Sequence, residues 1–289
     1  MNKDIARDIS YASSAKTRSG RTVIRLLEGV TGRGRLIRKA AGYEQEVRQG
    51  ADFWQVMMQR YNVDLRVHGA IDALPRTGPL VLVANHPYGI LDGLVMGHLL
   101  AAHRGDFRIL ANSVFNRADD INRIILPISF SQTKEAVRTN LETRKKALAY
   151  LNDGGAIGVF PGGTVSTAAR PFTRPMDPSW RNFTAKMIQK SGATVVPVYF
   201  HGNNSRLFQL ASHVHETLRL GLLISEFRAR LRTPLDVTIG KPCTPTKLAE
   251  YGRDSAAMMR FLRQATYELS PTPLNTLDYG YEFEEKYRA

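Results

Sequence analysis

A chain of 289 residues is long enough for one large domain with a real core, or for a domain plus a small helical appendage. Lys and Arg number 40 against 26 Asp and Glu, and the net charge of +14 calls for a negatively charged partner: nucleic acid, an anionic bilayer or an acidic carrier protein. The single cysteine, Cys243, excludes an internal disulfide and a cysteine-rich metal site and points to a reducing setting, while a mean hydropathy of −0.26 argues against a polytopic membrane protein.

Residues 1–15 are polar and carry no apolar run of the kind a secretory signal needs. Between Lys16 and Lys39, Val23, Leu26, Leu27 and Val30 recur three and four apart, which puts them on one helical face among Arg18, Arg21 and Arg25. Gly29, Gly32 and Gly34 end that helix and start a second. Such a basic amphipathic hairpin either lies on anionic lipid or covers the body of the protein. A further helix is predicted over 45–59, with Phe53, Val56 and Met57 turned inward.

From Leu65 the pattern becomes α/β. Strands are predicted at LRVHG, PLVLVAN, FRILAN (107–112), RIILPI (123–128), AIGVF (156–160), ATVVPVYF (193–200) and LDVTIG (235–240). Helices fall between them at 91–102, 134–151 and 180–190, and a last one at 246–268. Segment 215–232 mixes Leu218, Leu222, Leu223, Ile224 and Phe227 with Arg219, Arg228, Arg230 and Arg232, so it reads as a membrane-facing helix, the wall of an acyl groove or an ordinary covering helix. Short apolar runs alternating with helices predict an α/β fold: a largely parallel or mixed central sheet, covered by helices on both faces, behind the N-terminal hairpin. The expected divisions are 1–62 for the basic helical region, 63–270 for the α/β domain and 271–289 for a surface extension latched through its aromatics. The longest apolar region, residues 78–102, is interrupted by Asn85, His86, Pro87 and Asp92, so membrane contact should be peripheral.

Ligands of such sheets sit beyond the carboxyl ends of the strands. There the chain places ANHPYGILDG (84–93) and FPGGTVS (160–166). His86 is a side chain able to gain and lose a proton near neutrality. Asp92, six residues on and across Pro87 and Gly89, can fold back onto Nδ1, fix the tautomer and leave Nε2 as a base. Alternatively Asp92 simply caps the following helix. Asn85 is a candidate brace for the loop. Gly162, Gly163, Thr164 and Ser166 form a glycine loop that can turn backbone N–H groups toward an anion. Arg117, Arg123 and Arg174 are candidate guanidinium grips for a phosphate or carboxylate. No G-x-S-x-G elbow, P-loop or dinucleotide fingerprint occurs. No metal site is expected, because His98 and His103 lie on different helix faces.

In this order, the motifs resemble those of the glycerolipid and lysophospholipid acyltransferase superfamily, the PlsC-like group, and its haemolysin-like, lyso-ornithine-lipid branch in particular. The likeness covers roughly residues 20–242: NHPYGILD stands for the Asn-His…Asp motif, FPGGTVS for the Phe-Pro-x-Gly loop and VPVYF for the strand motif with Pro197. It implies that His86 is the base and Asp92 its partner. It also implies an acyl-carrier-protein or acyl-CoA thioester as co-substrate with no bound cofactor, a lysolipid acceptor, and peripheral residence on the cytoplasmic face of the inner membrane. Five residues separate His86 from Asp92 where the family pattern has four, and Gly162 replaces the usual glutamate. That second departure favours lyso-ornithine lipid over 1-acylglycerol-3-phosphate as acceptor. The competing readings are a 1-acylglycerol-3-phosphate acyltransferase, a thioester or lipid hydrolase, and a basic nucleic-acid-binding module; a nucleic-acid partner is not expected, because no recognition motif for one is present.

Overall fold

All five residues of one strand, β2 (Leu80–Ala84), are buried, as a run of Leu, Val and Ala with helices on both sides requires. The computed structural model describes residues 10–12, 15, 17–112, 122–129, 133–272, 274 and 277–284. β2 lies at the centre of a seven-stranded sheet whose other members are β1 (Leu65–Gly69), β3 (Arg108–Asn112), β4 (Ile125–Ile128), β5 (Ala156–Val159), β8 (Thr194–Phe200) and β9 (Leu235–Ile239), in the order β1-β9-β8-β2-β5-β3-β4. Neighbours are parallel except β8 and β9, so the sheet is mixed with one reversal of direction. A separate two-stranded ribbon, β6 (Thr167–Ala168) with β7 (Pro175–Met176), follows the glycine loop.

The pleat divides β2 between two cores. Leu80, Leu82 and Ala84 face one core, with Trp54, Leu91, Val95 and Phe227. Val81 and Val83 face the other, with Leu151, Ile188, Met259 and Leu262. The first core is roofed by α1 (Arg18–Thr31), α2 (Arg33–Ala40), α3 (Tyr43–Arg48), α4 (Phe53–Tyr61), α5 (Ile90–Arg104), α8 (Arg206–Val214) and α9 (Glu216–Arg230). The second is covered by α6 (Lys134–Asn152), α7 (Asn182–Ser191), α10 (Pro245–Ala249) and α11 (Ser255–Tyr267).

Two predicted helices are each broken in two. The run 45–59 stops at Gly50, whose φ of 95° suits glycine, and restarts where the Asp52 carboxylate accepts from Gln55 N–H. The last helix divides before Asp254, which caps α11. The N-terminal hairpin forms as expected, joined by Gly32 in the left-handed region. Its inward face differs from the predicted stripe: Gly20, Ile24 and Glu28 are buried, whereas Val23, Leu26 and Val30 are exposed at 39%, 66% and 82%. Segment 215–232 proves to be a covering helix, with Arg219, Leu223, Ile224 and Phe227 buried and α1 and α8 packed against it. Among the described residues no helix is long and apolar enough to cross a membrane.

Candidate active site

β2 ends at Ala84 and delivers Asn85 and His86 to the carboxyl edge of the sheet. Asn85 is buried, and both ends of its amide are used: Nδ2 donates to the Phe200 carbonyl at 2.9 Å and Oδ1 accepts from Phe200 N–H at 2.7 Å. It braces β2 against β8. The chain then turns through Pro87 and Tyr88 to Gly89, whose φ of 74° opens the bend and starts α5 at Ile90. That bend absorbs the extra residue between His86 and Asp92.

Asp92 is fully buried, and its Oδ2 lies 2.9 Å from His86 Nδ1. The same oxygen accepts the backbone N–H of Tyr88 at 2.8 Å and of Gly89 at 3.1 Å. Capping the helix and orienting the imidazole are therefore one arrangement rather than alternatives. Burial pushes the Asp92 carboxyl above its ordinary range, while the His86 contact and the two N–H donors pull it back. An ionised carboxylate only accepts, so Nδ1 carries the ring proton and Nε2 is left as acceptor. The His86 side chain retains 19% exposure, and its ring stacks on Phe160 at 4.2 Å and 25°. Tyr88 fixes the far side of the loop: its hydroxyl donates to the His201 carbonyl at 2.7 Å, and the Arg230 guanidinium lies over its ring.

The glycine loop meets this turn directly. Ser166 N–H donates to the His86 carbonyl at 2.8 Å, and the buried Ser166 hydroxyl donates to Asp177. Thr164 Oγ1 accepts from Arg219 Nη2 at 2.8 Å, and the Val165 carbonyl accepts from the same nitrogen at 2.9 Å. Burial lowers the Arg219 pKa to about 10, which leaves it cationic at neutral pH. Gly163, at φ 70°, spends its N–H on the Phe160 carbonyl at 3.0 Å. The hydroxyls of Thr164 and Ser166 and the Gly163 N–H thus take part in bonds that hold the loop together. Gly162 is bare for a visible reason: a Cβ there would stand 3.2 Å from the Asp177 carboxylate.

Of the guanidinium candidates, Arg123 and Arg174 lie in the described residues, and neither has a hydrogen bond or ion pair to His86. Arg123 precedes β4, and β4 runs parallel to β2 through β3 and β5, so Arg123 lies at the opposite end of the sheet. Arg174 is exposed and reaches Tyr199 Oη at 3.3 Å and Ser270 Oγ at 3.4 Å. Arg117 lies outside the described residues. Sequence reasoning gave no site role to Asp177, Arg219, Phe160 or Tyr88. Tyr88 and Phe160 lie within the two quoted motifs and Arg219 within segment 215–232, whereas Asp177 lies in none of them.

Comparison with known proteins bears on this geometry. Residues 64–201, the stretch holding the His86 turn, the glycine loop and β8, match the family described as Acyltransferase. The chain carries an acyltransferase domain over these residues. Two curated relatives are similar over much of this acyltransferase: the lyso-glycine lipid O-acyltransferase of Phocaeicola vulgatus, 26% identical over 76% of this chain and 78% of its own, and that of Bacteroides thetaiotaomicron, 28% identical over 73% and 80%. The solved 1-acyl-sn-glycerophosphate acyltransferase, PlsC, of Thermotoga maritima is a distant likeness, with a TM-score of 0.46 and 16% identity over 89% of this chain and 85% of that one.

Proposed function

We propose that this acyltransferase moves a fatty acyl group from an acyl-carrier-protein or acyl-CoA thioester to the hydroxyl of a lysolipid, with His86 as general base. The observation that carries the reading is the buried Asp92 carboxylate 2.9 Å from His86 Nδ1, which leaves Nε2 as the acceptor of a ring that retains 19% exposure. Nε2 takes the hydroxyl proton as the oxygen attacks the thioester carbonyl. A C–O bond forms, the C–S bond breaks, and the imidazolium returns the proton to the departing thiolate. Asp92 stabilises the imidazolium while it exists. The N–H groups of the turn are already committed, His86 to Asp177, Tyr88 and Gly89 to Asp92, and Ser166 to His86, so the oxyanion finds its donors elsewhere.

For the acceptor, both curated relatives are named for lyso-glycine lipid, which supports a lysolipid with an amino-acid head group and makes glycine as natural a choice as ornithine. The family match as a whole carries no such restriction and supports 1-acylglycerol-3-phosphate as the second reading. The exposed row Val23, Leu26 and Val30, beside exposed Arg18, Arg21 and Arg25, supports peripheral docking of α1 on an anionic leaflet such as the cytoplasmic face of an inner membrane. The decisive experiment is mass spectrometry of products after incubating the purified chain with each thioester donor and the three lysolipids. Acylated lysolipid made by wild type and absent with His86→Ala is expected. Free fatty acid as the main product would replace this reading with a hydrolase, and full activity of a folded His86→Ala would end it.

A further inference from the structure

Asp92 fixes the ring of His86, but a ring is only as well placed as the peptide that carries it. We infer that Asp177, from the end of β7 and 91 residues away in sequence, is the positioning residue for that peptide; the inference rests on the reading of His86 as the base. Asp177 Oδ1 accepts the His86 backbone N–H at 3.2 Å and the Ser166 hydroxyl, while Ser166 N–H donates to the His86 carbonyl at 2.8 Å. These three bonds close a ring through His86, Asp177 and Ser166 that holds the His86 backbone at both its N–H and its C=O. The second oxygen, Oδ2, accepts Trp180 Nε1–H at 2.9 Å.

The carboxylate is fully buried, and the donors that meet it are all neutral. A buried carboxylate held by neutral N–H and O–H groups is costly, and it persists where no other group supplies the same set of acceptors. Its backbone is pinned as firmly: Asp177 N–H donates to Tyr267 Oη at 2.7 Å, and its carbonyl accepts from Arg263 Nη2 at 3.0 Å and Gly280 N–H at 2.9 Å. The anchor therefore stands on α11 and on the C-terminal segment. The absence of a side chain at Gly162 lets the carboxylate lie against the glycine loop. Through this one side chain the catalytic turn, the glycine loop and the C-terminal segment share a common support.

A residue acting this way touches no substrate, so its loss should lower kcat and leave KM alone. The full-length chain would be assayed with palmitoyl-CoA by thiol release and with the best lysolipid acceptor of the panel. Hydrogen exchange of the peptide covering 84–92 would be followed in parallel. Asp177→Ala is expected to lower kcat at least 30-fold, keep both KM values within about threefold and speed exchange of 84–92 at least tenfold. Asp177→Asn keeps an acceptor for His86 but turns an amide donor toward Trp180 N–H. Adding Trp180→Phe removes that conflict and should recover at least tenfold of the lost kcat, which covers the case in which the alanine variant does not fold. The inference is overturned if a folded variant keeps kcat within threefold, if KM carries the loss, if exchange of 84–92 is unchanged, or if Trp180→Phe recovers nothing. A fully active His86→Ala would strike the reading of the base itself, and the exchange measurement would still judge the anchor.

Discussion

Replacing Asp92 by Asn tests the heart of the mechanism with a change of one atom. The amide oxygen can stand where Oδ2 stands and still accept from Tyr88 and Gly89, so the turn and the start of α5 are retained. What disappears is the negative charge beside the imidazolium. Across the 2.9 Å between Oδ2 and Nδ1, two unit charges attract by about 6 kcal/mol at an effective dielectric constant of about 20. An amide dipole keeps part of this, and a loss of about 4–5 kcal/mol in the transition state corresponds to roughly 10³–10⁴ in kcat. The new amide nitrogen would occupy the site of Oδ1, a buried atom without a hydrogen-bond partner among the described residues, at a cost of about 1–3 kcal/mol in stability. Thiol release under saturating thioester and acceptor gives kcat, and thermal melts report the fold. The acid side of the profile gives a second reading. Because burial raises the Asp92 carboxyl, wild type should lose activity at a higher pH than a free carboxylate would dictate, and Asp92→Asn should lack that step. A folded Asp92→Asn within tenfold of wild type would refute the reasoning.

Two further outcomes concern stability and the membrane. Burial depresses the folded-state pKa of both His98 and His201 below the ordinary value. Below pH about 6.5 the unfolded chain then takes up protons that the folded chain resists, so stability should fall as pH drops through that window. The urea midpoint should decline from pH 7.5 to 5.5 in wild type and decline less in His98→Gln/His201→Gln, a comparison in which Asp92 cancels; equal slopes would reject it. Changing Val23, Leu26 and Val30 to Ser removes the exposed apolar row of α1 without touching the buried face of Gly20, Ile24 and Glu28. Binding to vesicles containing anionic lipid should weaken at least tenfold with the melting temperature preserved, and undiminished binding would move the docking surface elsewhere.

The central sheet was legible because every strand beside β2 is a short apolar run next to a helix, a pattern set by burial on two faces. The single reversal at β9 was not, since its alternation of buried Leu235, Val237 and Ile239 with half-buried Asp236 and Thr238 reads the same in either direction. Helix breaks at Gly50 and before Asp254 were missed because apolar spacing continues across them, while a positive φ or a capping carboxylate decides the end. The face of α1 was identified as a stripe, but spacing cannot tell inward from outward. The packing partner decides that: α9 takes Leu27 against Gly221, Ile24 is buried, and Val23 is left to solvent.

Within the site, the legible part is the local part. His86 and Asp92 sit six residues apart, so a turn and a helix start are enough to join them, and one bend at Gly89 accommodates the spacing. Arg123 lies away from His86 because nearness in sequence to a motif says nothing about the end of the sheet at which a residue lands; it precedes its strand where His86 follows its own. Asp177 escaped for the converse reason. It reaches His86 from a ribbon 91 residues on, in a proline-rich stretch with no periodicity, and the gap it fills appears in the sequence only as a missing side chain at Gly162. A glycine in a motif position that ordinarily bears a carboxylate therefore carries information: in a close-packed interior the vacated space is occupied by something, and here the occupant is a carboxylate from another segment.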